Sequence, residues 1–132
     1  MITIKGLIGM FMVAAGPFQY TVKILSGSRT YAQQDALYAQ GRTAPGKIVT
    51  NARPGRSWHN WRCAVDVVPL RNGKPVWGTA GEDGKLWARV GALGEAAGLE
   101  WAGRWKSFRE LAHFQNAQGK TLAQLQAGEK LA

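Results

Sequence analysis

A chain of 132 residues with a 45% apolar share is long enough for one domain around a single buried core and needs no disulfide to hold it. Its one cysteine, Cys63, excludes an internal disulfide and is most simply read as a thiol folded in a reducing cytoplasm. Seventeen Lys and Arg against eight Asp and Glu leave a formal charge of +9, which calls for a polyanionic partner (nucleic acid, anionic lipid or the acidic bacterial wall) without choosing among them.

The first apolar stretch, Leu7 to Ala15, follows Lys5 and is too short to cross a bilayer. Although it has the look of a signal-peptide core, it reads better as an opening amphipathic or buried helix, ended by Gly16-Pro17. Tyr20 to Leu25 alternates and carries β-branched residues, so a strand is expected there, entering a tight turn at Ser26-Gly27-Ser28 with Arg29 just beyond it. Thr30 to Gln40 repeats Tyr31, Gln34, Leu37 and Tyr38 near helical spacing, with Thr30 as N-cap and Gly41 as terminator. Gly41 to Arg56 is rich in proline, glycine and basic residues and has no period. It is a long loop of the kind that often serves function.

Ala64 to Val68 is a short apolar strand interrupted only by Asp66 and followed by Pro69. Arg71-Asn72-Gly73-Lys74 then has the composition of a hairpin turn. Lys85 to Ala97 places Leu86, Val90, Leu93 and Ala97 on one helical face, closed by Gly98. In the aromatic stretch Leu99 to Trp105, Trp101 and Trp105 are four apart and are expected to line a cleft. The tail Thr121 to Leu131 again has helical spacing at Leu122, Leu125 and Gln126. No internal repeat or domain boundary appears, and one domain over residues 1–132 is expected.

Chemistry concentrates at the two histidines, His59 and His113, each close to a carboxylate: Asp66 after the first and Glu110 before the second. A catalytic zinc site takes about three His or carboxylate ligands and leaves a position open for water. His59 and Asp66 cannot lie on one continuous helix, where seven residues rise about 10 Å. On one straight strand their odd separation would send them to opposite faces. His59 is therefore expected in the loop Ser57-Trp58-His59-Asn60 and Asp66 on the strand. Glu110 and His113 are three apart, so one helical turn or tight bend puts both on one side. Glu110 then stands where it can take a proton from a zinc-activated water and pass it to a leaving amine. An ionised carboxylate in an apolar run such as that around Asp66 is costly to bury without a cation or hydrogen-bond partner. Cys63 reads as a buried core thiol outside this set.

At these residues the chain resembles the zinc D-Ala-D-Ala carboxypeptidase and L-alanyl-D-glutamate endopeptidase family, which includes phage endolysins. The resemblance runs through Ser57-x-His59, Asp66 and Glu110-x-x-His113, and extends to Ser26 through Thr30, Gln34, Gly41-Arg42-Thr43, Trp101 to Trp105 and His113-Phe114-Gln115. It implies a zinc ion on His59, Asp66 and His113, an acid/base role for Glu110, and substrate contacts at Arg29, Gln34 and Ser57. Arg pairs with carboxylates through parallel hydrogen bonds, which suits a D-glutamate-containing peptide. The chain departs from the family pattern at Arg62, where glycine is usual and close backbone approach is the expected reason for it. Other departures are Ser28 in place of tyrosine, Ala112 in place of proline, and Arg104 in place of an acidic or amide residue.

The fold expected is α+β: a small antiparallel sheet packed with helices and a zinc site on one sheet face, in the Hedgehog/D,D-peptidase-like arrangement that the resemblance implies. The function expected is hydrolysis of the peptidoglycan stem peptide at the L-alanyl-D-glutamate bond, as a phage-type endolysin. On this reading a monomer is made in the host cytoplasm and reaches the wall after release, without a signal peptide or transmembrane segment. A D-Ala-D-Ala carboxypeptidase is the alternative within the enzyme class. A non-catalytic basic module for wall polymer or nucleic acid is the alternative outside it. Arg and Lys are scattered rather than clustered, and no nucleic-acid motif is present, so nucleic acid is not an expected partner.

Overall fold

A computed structural model describes residues 21–131; the helix expected over Leu7–Ala15 and the first residue of the expected strand, Tyr20, lie outside them. In chain order the elements are β1 (Thr21–Ser26), α1 (Tyr31–Ala39), a 3-10 turn (Trp58–Trp61), β2 (Ala64–Arg71), β3 (Lys74–Pro75), α2 (Gly81–Ala96), β4 (Glu100–Trp101), a second 3-10 turn (Ala102–Arg104), β5 (His113–Gln115) and α3 (Leu122–Gln126). The strands form one antiparallel sheet in the order β1-β2-β5-β4, with β3 paired to the far end of β2. The fold is thus the α+β arrangement expected. Asn72 and Gly73 take φ of 53° and 75°, the left-handed pair that a two-residue hairpin needs to match strand twist.

Period two divides the sheet into two faces. Val65 pairs with Phe114, and Phe114 with Trp101, on one face. These three pack with Val67, Leu86 and Val90 into the core, in which Phe114 has no exposed surface. Trp101 stacks on Phe114 at 6.3 Å between ring centres, and its indole N–H donates to the Leu111 carbonyl at 2.8 Å. Trp101 is therefore a core residue rather than the cleft-lining one expected, because the alternation at β4 turns it inward. The neighbouring residues Asp66, His113, Gln115 and Glu100 share the opposite face.

Helix α2 starts earlier than its apolar period suggests, because its first turn is polar. Glu82 and Asp83 sit at the positive end of the helix, and Asp83 also accepts from Arg71 Nη1 at 2.8 Å, which ties the helix to β2. The stretch from Ser57 is not an open loop, since the Ser57 hydroxyl accepts from the His59 N–H at 3.3 Å and winds the 3-10 turn. Three element starts share a reciprocal capping box: Thr30 with Gln33, Ser57 with Asn60, and Thr121 with Gln124. Helix α3 is shorter than the expected tail helix, buries Leu125, and is pinned by Gln126 Nε2 donating to the Gly55 carbonyl at 2.9 Å. Among the described residues no helix is long and apolar enough to cross a membrane.

Arg62, at the position where glycine is usual, ends the first 3-10 turn with φ 60° and ψ 29°. The constraint there is backbone handedness rather than close approach, and the exposed side chain leaves the turn. The left-handed conformation costs an L-residue about 1–2 kcal/mol, against about 0.5–1 kcal/mol for the extra freedom of an unfolded glycine. Arg62→Gly is therefore expected to raise unfolding free energy by up to about 1 kcal/mol in urea titration. Gly91 is the opposite case. A methyl group there would collide with the six-membered ring of buried Trp101. Gly91→Ala should therefore lower stability by about 1–3 kcal/mol despite the better helix propensity of alanine.

Candidate metal centre

Asp66 on β2 and His113 on β5 are register partners, and His113 Nδ1 lies 3.1 Å from Asp66 Oδ1. The first 3-10 turn brings His59 to the other carboxylate oxygen, with Nε2 at 3.2 Å from Asp66 Oδ2. His59 and His113 are buried and Asp66 is partly buried. One ligand atom from each of the three lies within 4.8 Å of the others, a span that one divalent cation can bridge.

Each imidazole is held from behind by its second nitrogen. His59 Nδ1 donates to the Gly27 carbonyl at 2.8 Å, which frees Nε2 to face Asp66. His113 Nε2 donates to Gln115 Oε1 at 2.9 Å, which frees Nδ1. The Gln115 amide is oriented by Glu100, whose carboxylate can only accept and lies 3.5 Å from Gln115 Nε2. Such contacts fix tautomer and ring orientation in metal-binding histidines. Gln115 and the Gly27 carbonyl were not expected in these roles. The signal for Gln115 was its position two residues after His113 on a strand, hence on the same face. A backbone carbonyl carries no such signal.

Burial opposes ionisation of Asp66, but hydrogen bonds from His113 and His59 and their positive charge outweigh it and hold the carboxyl well below the usual carboxylate range. Burial likewise opposes a charged His113. The Asp66 and Gln115 contacts and the negative charges of Asp66 and Glu110 prevail, so its pKa is raised. Protons and a cation thus compete for the same lone pairs.

Glu110 stands beside the cluster, with Oε2 3.9 Å from His113 Nδ1, and its side chain is 64% exposed. A turn holds it there: the Glu110 N–H donates to Ala102 and its carbonyl accepts from His113. Arg29 lies at the β1 rim, where Nη2 donates to Ser26 Oγ at 3.0 Å and the backbone N–H donates to the His59 carbonyl at 2.9 Å. Gln34 is fully buried: Oε1 accepts from Arg29 Nη1 at 2.8 Å and Nε2 donates to the Ala52 carbonyl at 2.7 Å. Its amide meets Arg29 and Ala52 rather than the metal cluster. Ser57 caps the turn that carries His59. Cys63 is buried, its thiol pushed up to about 11 by burial, and Sγ contacts the Trp58 carbonyl rather than the cluster.

Two histidines and a carboxylate converging beside one face of a small antiparallel sheet, with a further carboxylate alongside, form a set that could hold one metal ion next to a proton-handling group, the arrangement that metal-dependent hydrolases use. A family profile described as D-alanyl-D-alanine carboxypeptidase matches residues 50–116, half the chain and all four of these side chains, and the protein belongs to this peptidase family. It is 38% identical over 99 residues to the peptidoglycan L-alanyl-D-glutamate endopeptidase CwlK of Bacillus subtilis, an alignment covering 71% of this chain. The chain spans 59% of the length of that relative. In fold it is similar to the L-Ala D-Glu endopeptidase ChiX of Serratia marcescens, with a TM-score of 0.60, 22% identity, and coverage of 86% of this chain and 80% of that one.

Because a cation must displace the proton that His113 retains, binding should weaken as pH falls through the raised pKa of that group. The apparent affinity for a divalent cation should fall at least about fourfold between about pH 8 and about pH 6. Calorimetry in buffers of differing ionisation heat should show proton release on binding.

Proposed function

We propose that the chain is a zinc-dependent endopeptidase that cuts the L-alanyl-D-glutamate bond of the peptidoglycan stem peptide, working as a single catalytic domain in the manner of a phage lysis enzyme. The observation that carries this reading is the convergence of His59, Asp66 and His113 with both imidazoles anchored from behind, the donor set of a catalytic zinc site. The relative named as an L-alanyl-D-glutamate endopeptidase, at 38% identity, favours that bond over terminal D-Ala-D-Ala. The charge of +9 suits an anionic wall and fast encounter with it.

Zinc, when bound, polarises the scissile carbonyl and acidifies water. The remaining work falls to the chain. Glu110 is the exposed carboxylate nearest the ligands. It takes the proton of the attacking water and delivers it to the departing D-glutamate amine. Asp66 supplies negative charge that offsets part of the cation and leaves the carbonyl polarised. Arg29, braced by Gln34 and Ser26, retains free guanidinium N–H groups for a substrate carboxylate. Ser57 fixes the turn from which His59 projects.

Incubation with purified peptidoglycan, followed by mass spectrometry, should reveal new D-glutamate amino termini that disappear with chelator and return with zinc. Release of D-alanine instead would assign the carboxypeptidase reaction. Glu110→Gln should lower turnover by about 10²- to 10⁴-fold while zinc stoichiometry stays at one. Retained turnover in that variant would remove Glu110 from the mechanism.

A further inference from the structure

The sheet face that carries the metal ligands continues past His113. Gln115 and Glu100, paired across β5 and β4, form its next row. Over this row lies a cavity of about 630 Å³, walled by Trp58 and Trp105 and floored by Gln115, Glu100, Asn116 and Gln118. Its lining residues adjoin the metal cluster. Trp58 precedes His59, the Trp105 ring lies 5.6 Å from the His113 ring, and Gln115 holds His113 Nε2. The Trp105 indole N–H donates to Glu100 Oε1 at 2.7 Å, which fixes one wall of the cavity to its floor.

The two ends of the face differ in charge. Strand order sets Arg29, beside β1, at one end and Glu100, on edge strand β4, at the other, with Asp66 and His113 between them. A substrate lying across the centre therefore meets a guanidinium on one side, and on the other a carboxylate, amides and indoles, with the Lys120 ammonium that also lines the cavity tied to Glu129 at 2.9 Å. On the endopeptidase reading, on which this inference rests, D-glutamate brings a carboxylate to one side of the scissile bond. On the other side L-alanine is amide-linked to the lactyl group of an N-acetylated amino sugar. That sugar is neutral, with apolar C–H faces for the indoles and a rim of hydroxyl and amide groups for Glu100, Gln115, Asn116 and Gln118. An acidic peptide would meet repulsion from Glu100. We infer that the cavity walled by Trp58 and Trp105 is a glycan subsite, which binds the muramyl sugar on the amino side of the cleaved bond and sets the direction in which the stem peptide crosses the metal centre.

The test titrates the ¹⁵N-labelled full chain with two fragments and follows the six tryptophan indole N–H signals. N-acetylglucosaminyl-N-acetylmuramyl-L-alanine should shift the Trp58 and Trp105 signals, whereas D-glutamyl-diaminopimelate should not. In parallel, kcat/KM for a sugar-bearing stem peptide should exceed that for the N-acetylated sugar-free peptide by about tenfold, and Trp105→Leu should bring that ratio towards one. Shifts of both indoles by the peptide fragment, no shift by the sugar fragment, or equal kcat/KM for the two substrates in the unmodified chain would each overturn the inference. Failure to cleave either substrate would refute the endopeptidase reading instead. The sugar titration does not depend on turnover and decides the subsite alone.

Discussion

The pairing of Asp66 with His113 across β2 and β5 is the constraint on which the rest of the site depends. Partners directly opposite on antiparallel strands hold their Cβ atoms about 4.5–5.5 Å apart, so register alone brings together two groups 47 positions apart in the chain. A slip by one residue would turn Val65 or Phe114 to the polar face and the ligands to the core. The register is held from the far side of the sheet, where Phe114 lies between Val65 and Trp101 and all three pack on α2. The closeness of Asp66 and His113 is therefore a by-product of apolar packing on the opposite face.

The same geometry explains why the two imidazoles use different nitrogens. His113 starts from the strand adjacent to Asp66, and its near nitrogen, Nδ1, already reaches the carboxylate. His59 starts from a turn outside the sheet, and only its far nitrogen, Nε2, spans the gap. In each case the unused nitrogen meets a hydrogen-bond acceptor. The acceptor for His59 is the Gly27 carbonyl, just past the end of β1, so the first strand contributes to the centre without supplying a ligand.

Much of this was legible in the sequence where local chemistry and fold agree. The Asn72-Gly73 hairpin, the Thr30 cap and the apolar run around Asp66 state their conformation directly. The placing of His59 in a turn and Asp66 on a strand followed from excluding single-element geometries, while His113 joined them through zinc ligand chemistry and the family resemblance. What escaped the sequence depends on tertiary context. Trp101 was read as a cleft residue because a spacing of four says nothing about which strand face it takes. The polar first turn of α2 left no apolar period to read. The anchor on His59 is a main-chain atom, and no side-chain pattern marks it. At Arg62 the family pattern of glycine was visible but its cause was not, because handedness appears only once the turn is built.

The three capping boxes have a common feature. Their return partners are Gln33, Asn60 and Gln124, amides where glutamate would also serve. An amide neither gains nor loses a proton as the medium acidifies, so the latches that start α1, the His59 turn and α3 hold equally at any pH the fold tolerates. Acid can thus load His113 with a proton while the turn that aims His59 stays wound, and neutralisation returns a centre whose scaffold was never taken apart.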